Sequence, residues 1–123
     1  LGTWMVLADA AGALVASYLQ WTFPSDGQLK LFGIGSLATV PQRRKNGFGT
    51  ALVRCAIDDF TARGGDIVFL YAYIDPRFYA RHGFVALDQE LQRHAGSTAM
   101  ALFLRQANMD TLRANPALIP GYF

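Results

Sequence analysis

A chain of 123 residues with 52% hydrophobic and 16% charged residues is long enough for one domain with a single core and too apolar for intrinsic disorder. Its net charge of +2 is too small to require nucleic acid, so basic residues matter only where they cluster, and Arg43-Arg44-Lys45 is that cluster. One cysteine, Cys55, and two histidines far apart, His82 and His94, exclude an internal disulfide and offer no zinc-ligand spacing, which fits a reducing cytoplasm and chemistry without a metal.

Leu1 to Leu19 is strongly apolar, but Asp9 stands in its middle, Gly2 and Gly12 interrupt it, and no basic residues precede it. A spanning helix needs about 20 apolar residues with few or no charges, and a signal peptide needs a positive start, so the segment reads as neither. A chain that begins with Leu is expected to be a trimmed or processed piece of something longer. Thr3–Leu7 is β-prone, Asp9-Ala10-Ala11-Gly12 is a turn, and Leu14–Phe23 resumes as a longer strand, which together make a hairpin. Pro24-Ser25-Asp26-Gly27 is a second turn. Leu29–Val40 is a third strand, in which Gly33 and Gly35 mark a bulge or the close approach of another backbone. Trp4, Trp21 and Phe23 are assigned to the sheet core, or to the wall of an acceptor pocket.

From Gly47 the apolar spacing becomes helical. Phe48, Ala51, Leu52, Cys55, Ala56 and Phe60 form one stripe, which places Cys55 in the core rather than in chemistry. Arg63-Gly64-Gly65 closes the helix. The run Ile67–Tyr73 suits a strand covered on both faces, so strand, turn, helix and strand make a βαβ unit, right-handed by the usual rule. Pro76–Arg81 is a short helix stopped by Gly83, and Phe84–Leu87 and Ser97–Leu104 are further strands. Met109–Phe123, with two prolines and little periodicity, is assigned no element. The sum is an α/β chain, a central mixed sheet flanked by helices, in one domain spanning 1–123 with a core over about 14–104 and an extension over 105–123.

The turn Arg44-Lys45-Asn46-Gly47-Phe48-Gly49 carries the chemistry. The first amides of a helix have no internal partner and the helix dipole places partial positive charge there, so a phosphate satisfies several amides at once. Glycine at 47 and 49 removes side chains that would hold the phosphate away, and Arg43, Arg44 and Lys45 add charge-assisted bonds. Everything in the turn suits a pyrophosphate.

Leu37-Ala38-Thr39-Val40-Pro41-Gln42-Arg43-Arg44-Lys45-Asn46-Gly47-Phe48-Gly49 resembles the Arg-x-x-Gly-x-Gly/Ala signature of the GCN5-related N-acetyltransferases. Asp75-Pro76-Arg77-Phe78-Tyr79-Ala80-Arg81-His82-Gly83-Phe84 is similar to that family's Phe/Tyr-Tyr-x-x-x-Gly-Phe element, and its Asp-Pro is similar to that of a bacterial subgroup. The resemblance covers about Leu14 to Leu104. It implies the acyl-coenzyme A N-acyltransferase fold, acetyl-coenzyme A as cosubstrate, and transfer of the acetyl group to a primary amine by direct attack. The family usually begins with a strand and one or two helices that shape the acceptor pocket. This chain starts at the hairpin, so another segment or subunit, or the carboxy-terminal tail, is expected to supply that side.

By the same resemblance, the backbone of Leu37, Ala38 and Thr39 pairs with the pantetheine arm and polarises the thioester carbonyl. Arg43, Arg44, Lys45, Asn46, Gly47, Phe48, Gly49 and Thr50 hold the pyrophosphate, the side chains of Arg43 and Lys45 either joining in or simply solvated. Tyr79 is the general acid toward the departing thiolate, or else a packing aromatic beside Phe78 and Phe84. Arg81 either reaches a phosphate or is solvated. Asp75 caps the short helix, and no general base is assigned. Gly33-Ile34-Gly35-Ser36-Leu37-Ala38 matches a dinucleotide fingerprint by letter, but its glycines lie inside a strand rather than at a strand–helix turn. The other function class is a non-catalytic acyl-coenzyme A sensor or interaction domain of the same fold. The partners implied are acetyl-coenzyme A and an amine, with no nucleic acid or membrane, and pairing into a homodimer is open.

Overall fold

Strand-forming residues alternate with turn-formers through the first third of the chain, and the computed structural model, which describes residues 2–24, 29–44, 47–73 and 75–123, folds them as a meander. Strands β1 (Gly2–Ala8), β2 (Leu14–Phe23) and β3 (Leu31–Thr39) pair antiparallel in succession. Asp9 builds the first turn, its carboxylate accepting from the amides of Ala11 and Ala13 at 2.9 and 3.0 Å. The turn expected at Pro24–Gly27 lies, past Pro24, outside the described residues.

Helix α1 (Phe48–Ala62) follows, then β4 (Ile67–Ala72), the short helix α2 (Arg77–Ala80), the two-residue β5 (Val85–Ala86) and β6 (Thr98–Phe103). The sheet has six strands in the order β1-β2-β3-β4-β6-β5, and β3 against β4 is its parallel pair. This is the mixed α/β sheet read from the sequence. No helix among the described residues is long and apolar enough to cross a membrane.

One core was expected, and the sheet divides it into two. Val68, Leu70 and Ala72 of β4 pack with Phe32, Ile34 and the inner side of α1, while Ile67, Phe69 and Tyr71 pack on the opposite face with Leu31, Leu112 and Ile119. Period-two alternation on a strand buried at every position makes this unavoidable. On α1 the buried residues are Leu52, Val53, Ala56, Ile57 and Phe60. The stripe therefore runs through Val53 and Ile57, and Cys55, expected in the core, is exposed. At 100° per residue, position 55 falls about 120° from the centre of a face that runs through 56 and 60, outside the buried arc. Trp4 is likewise 61% exposed rather than core, because β1 is an edge strand with its ring on an uncovered face. A polar link ties α1 to the face of the sheet it covers: the Tyr18 hydroxyl donates to Gln20 at 2.8 Å, and Gln20 donates to Asp59 of α1 at 3.3 Å.

The tail, given no element from sequence, is ordered. Asn108 and Thr111 cap helix α3 (Met109–Ala114) reciprocally, and Leu112 is fully buried under the sheet. Beyond it the Tyr71 hydroxyl donates to the Pro120 carbonyl at 2.8 Å, which brings Phe123 against β2 and β3.

Gly65 fixes the passage from α1 into β4. Its amide donates to the Phe60 carbonyl at 2.8 Å, and a Cβ there would stand 2.9 Å from that same oxygen and from the Phe32 ring. Gly65→Ala is expected to destabilise the fold by about 1–3 kcal/mol in a urea melt. An unchanged midpoint would mean that α1 and β3 yield more easily than their packing implies.

Candidate active site

Parallel pairing of β3 with β4 is short. It covers Leu31 to Gly33 against Ile67 to Phe69 and then stops, although β3 runs on to Thr39 and β4 to Ala72. A bulge accompanies the parting. Leu19 faces Gly35 and Ser17 faces Ala38, so Tyr18 stands opposite both Ser36 and Leu37, and Ser36 takes a φ of 52°. An extra residue in one strand bends it and strengthens its twist. Past Gly33, the edge of β3 that faces β4 therefore offers backbone amides and carbonyls with no strand beside them.

Beyond Thr39 the chain makes a 3₁₀ turn over Pro41–Arg43 and reaches α1 through Gly47, which takes a φ of 81° as the N-cap. Among the described residues no side chain caps the helix and no acidic residue stands in its first turn, so the positive end of a 15-residue helix suits an anion. Arg44 folds back to donate from Nε to the Thr39 carbonyl at 3.3 Å, which holds its guanidinium beside the strand end. Lys45, Asn46 and the side chain of Arg43 lie outside the described residues.

The third wall is α2. Asp75 accepts from the Arg77 amide at 2.9 Å and pairs with its guanidinium at 2.7 Å, so this carboxylate starts the short helix, as read from the sequence. The hydrogen bond from Arg77 holds its pKa below the usual carboxylate value. That leaves it unsuited to take a proton at neutral pH. Tyr79 packs edge-on against Phe78 at 5.0 Å and Phe84 at 6.2 Å. Burial raises the pKa of its phenol above 10.0, so the group keeps its proton through the neutral range.

These walls enclose a cleft of about 660 Å³ lined by Leu37, Ala38, Thr39, Arg44, Gly47, Phe48, Gly49 and Thr50 on one side and Phe78 and Tyr79 on the other. Segments up to 42 residues apart in sequence, Leu37 to Tyr79, thus meet in one place. Phe78, read only as a packing neighbour, lines it directly and stands 3.6 Å from a Cβ built on Gly49. The bulge read from Gly33 and Gly35 is present, centred on Ser36 next to Gly35. Arg81 is exposed and does not line the cleft. His82 backs the ring of Phe78 at 5.5 Å, its pKa lowered by burial and then by Arg54 and Arg81. His94 lies against Tyr122, the rings stacked at 4.0 Å.

A family model described as the acetyltransferase (GNAT) domain matches residues 4–86, about two thirds of the sequence. The chain belongs to the GNAT acetyltransferase family. Solved structures agree on the fold. The NatC complex bound to Gag peptide and CoA superposes with a TM-score of 0.71 at 18% identity, over 83% of this chain and 71% of that one. N-acetylglutamate synthase from Neisseria gonorrhoeae, complexed with coenzyme A and N-acetyl-glutamate, gives 0.68 at 19%, over 84% and 26%. A GNAT family N-acetyltransferase from Escherichia coli in complex with CoA gives 0.68 at 23%, over 81% and 57%. This GNAT chain therefore spans about a quarter of the second relative and little more than half of the third. A search of curated proteins returns no significant match.

The two glycines of the turn play different parts. Gly47 has open space around a built Cβ but a φ of 81°, whereas Gly49 lies within the helix with ordinary contacts at 3.6 and 3.9 Å. Gly47→Ala is expected to cost about 1 kcal/mol of stability, while Gly49→Ala is neutral or gains up to about 1 kcal/mol. Equal losses from both in a thermal melt would show that space, not backbone conformation, governs the turn.

Proposed function

We propose that this GNAT chain transfers an acetyl group from acetyl-coenzyme A to a primary amine by direct attack. The observation that carries the reading is the convergence in one cleft of a strand edge that β4 has left, a helix start with no described side-chain cap and a half-buried tyrosine that stays protonated at neutral pH. Acetyl-coenzyme A matches these features part by part: an extended arm with amides, a pyrophosphate and a thioester. When bound, it supplies an activated acyl group.

The backbone edge over Leu37, Ala38 and Thr39, which no strand covers, pairs with the pantetheine amides as a neighbouring strand would, and an amide there polarises the thioester carbonyl. Gly49 and Thr50 turn their amides on the pyrophosphate, with Gly47 admitting it closely and Arg44 adding a charged fork; Phe48, Arg43, Lys45 and Asn46 are assigned to the same pyrophosphate by sequence. Tyr79 donates its proton to the sulfur as the carbon–sulfur bond breaks. The amine nitrogen forms the new bond to the acetyl carbon and releases one proton to water, from which Tyr79 is reprotonated. Tyr79 is protonated at neutral pH, and burial, which raises its phenol further, keeps the proton in place until the thiolate leaves.

Four measurements test the reading. Acetyl-coenzyme A at millimolar concentration is expected to raise the melting temperature, while NADH and ATP do not; absence of the shift would sink the cofactor assignment. Gly49→Glu, which leaves the backbone unstrained but sends a carboxylate into the cleft, is expected to abolish that shift and keep the ligand-free melt. Tyr79→Phe is expected to lower kcat about 100-fold or more with coenzyme A affinity unchanged. The alkaline fall of kcat should lie above pH 10, since burial raises the phenol from its ordinary value of 10.0. Binding without turnover of any amine would replace the transferase with an acyl-coenzyme A sensor.

A further inference from the structure

On the face of β3 turned away from α1, Gly33 and Gly35 leave a strip with no side chains, and aromatic rings fill it. A Cβ on Gly33 would stand 2.7 Å from Phe23 and 2.8 Å from Phe123, and one on Gly35 would stand 3.2 Å from the indole Nε1 of Trp21. Phe123 lies edge-on to Phe23 at 4.9 Å, to Tyr71 at 5.5 Å and to Trp21 at 6.1 Å. The result is a glycine-floored trough walled by Trp21, Phe23 and Tyr71, with the Phe123 ring as its occupant. It sits at Gly33, where β4 leaves β3, and Gly35 is two residues before the Leu37 that lines the cleft.

Three features set the trough apart from ordinary core. The Trp21 Nε1 is buried and has no hydrogen-bond partner, a state that buried indoles normally avoid. Among the described residues, no backbone hydrogen bond holds Gly121, Tyr122 or Phe123, so past the Tyr71–Pro120 bond the occupant is held by ring contacts. No described carboxylate is hydrogen-bonded to these rings, and the charge that acts on Tyr71 is that of Arg93.

We propose that this trough is the acceptor subsite and that it takes an α-amino acid with an aromatic side chain. The acceptor's ring replaces that of Phe123, a carboxylate oxygen accepts from the Trp21 Nε1, and the amino group reaches the opening between β3 and β4. Arg93 favours the carboxylate, and the described residues of the trough include no side-chain carboxylate to hold a polyamine. The assignment rests on the acetyl-transfer reading for its chemistry: the amine nitrogen bonds the acetyl carbon, the thiol leaves with the proton of Tyr79, and water takes the amine's proton.

The test follows the indole N–H resonance of Trp21 in the full chain, assigned by its loss in Trp21→Phe, with and without coenzyme A. Phenylalanine, phenethylamine and spermidine are titrated in parallel, and kcat/KM is measured for each. Phenylalanine is expected to move the resonance and to exceed phenethylamine about tenfold in kcat/KM, the worth of one hydrogen bond to a charged group. Trp21→Phe should erase that gap, and Phe123→Ala should raise kcat/KM for phenylalanine while coenzyme A affinity stays constant. An unmoved resonance, a gap that survives Trp21→Phe, or spermidine used as well as phenylalanine would each overturn the proposal. Failure to bind coenzyme A would instead strike the transferase reading and leave the resonance to decide the trough.

Discussion

The brevity of one strand pairing governs the molecule. β3 and β4 hold together over Leu31–Gly33 and Ile67–Phe69, and both strands then continue apart. Had the ladder run to Thr39, every amide on that edge of β3 would be satisfied by β4 and the sheet would be closed at its centre. A central gap in a sheet is costly, because buried backbone groups without partners lose their hydrogen bonds to water. The gap persists because other contacts hold the strands on either side: β2 pairs along β3, and β6 pairs along all of β4 from Ile67 to Ala72. The bulge at Ser36 then turns the free part of β3 outward. An unpaired edge with firmly held flanks is a binding surface rather than a frayed end.

The βαβ connection puts the second element of the cleft at the mouth of this gap. A parallel pair requires its crossover to return the chain to the same end of the sheet, so α1 must start near the end of β3 and finish near the start of β4. The helix start and the open strand end are therefore neighbours by topology, before any side chain is considered. Gly65, pressed between Phe32 and the Phe60 carbonyl, sets the tightness of the return. Phe78 and Tyr79 reach the same place from after β4. Asp75 is committed to starting their helix, which explains how so short an element can hold a tyrosine in place.

Sequence made the elements legible where periodicity was strong. Leu14–Phe23 was bounded to the residue, because alternation ends cleanly at Gly12 and Pro24, and the βαβ unit followed from the all-apolar run after Gly65. The lining of the cleft was legible because its backbone-binding residues must be contiguous and glycine-bearing. Burial was harder to read. Cys55 and Ala51 were mistaken for core because small apolar residues fit either face of a helix, and only tertiary contact shows that Val53 and Ile57 face inward. Trp4 misled for the opposite reason: a tryptophan implies burial, but an edge strand gives it no second layer. The tail escaped because its helix is one and a half turns long, too short for a period, though Asn108 and Thr111 spelled its cap.

The glycines of β3 join these observations. Gly33 and Gly35 were read as a bulge or a close approach, and both consequences are present, one in each direction. Toward the strand's end the chain bulges at Ser36 and opens the edge that suits a pantetheine arm. Away from α1 the missing side chains admit three aromatic rings and leave the Trp21 indole without a partner. A sheet packed on both faces would ordinarily fill such a strip with aliphatic side chains of its own, as Leu31 does one step earlier on the same strand. The strip is instead filled by a ring from Phe123 of the tail, in contact with β3 but not hydrogen-bonded to it. Glycine at these positions costs strand stability through backbone entropy and lost packing. That cost is understandable if the same two residues must open the sheet for a cofactor on one side and receive an acceptor on the other.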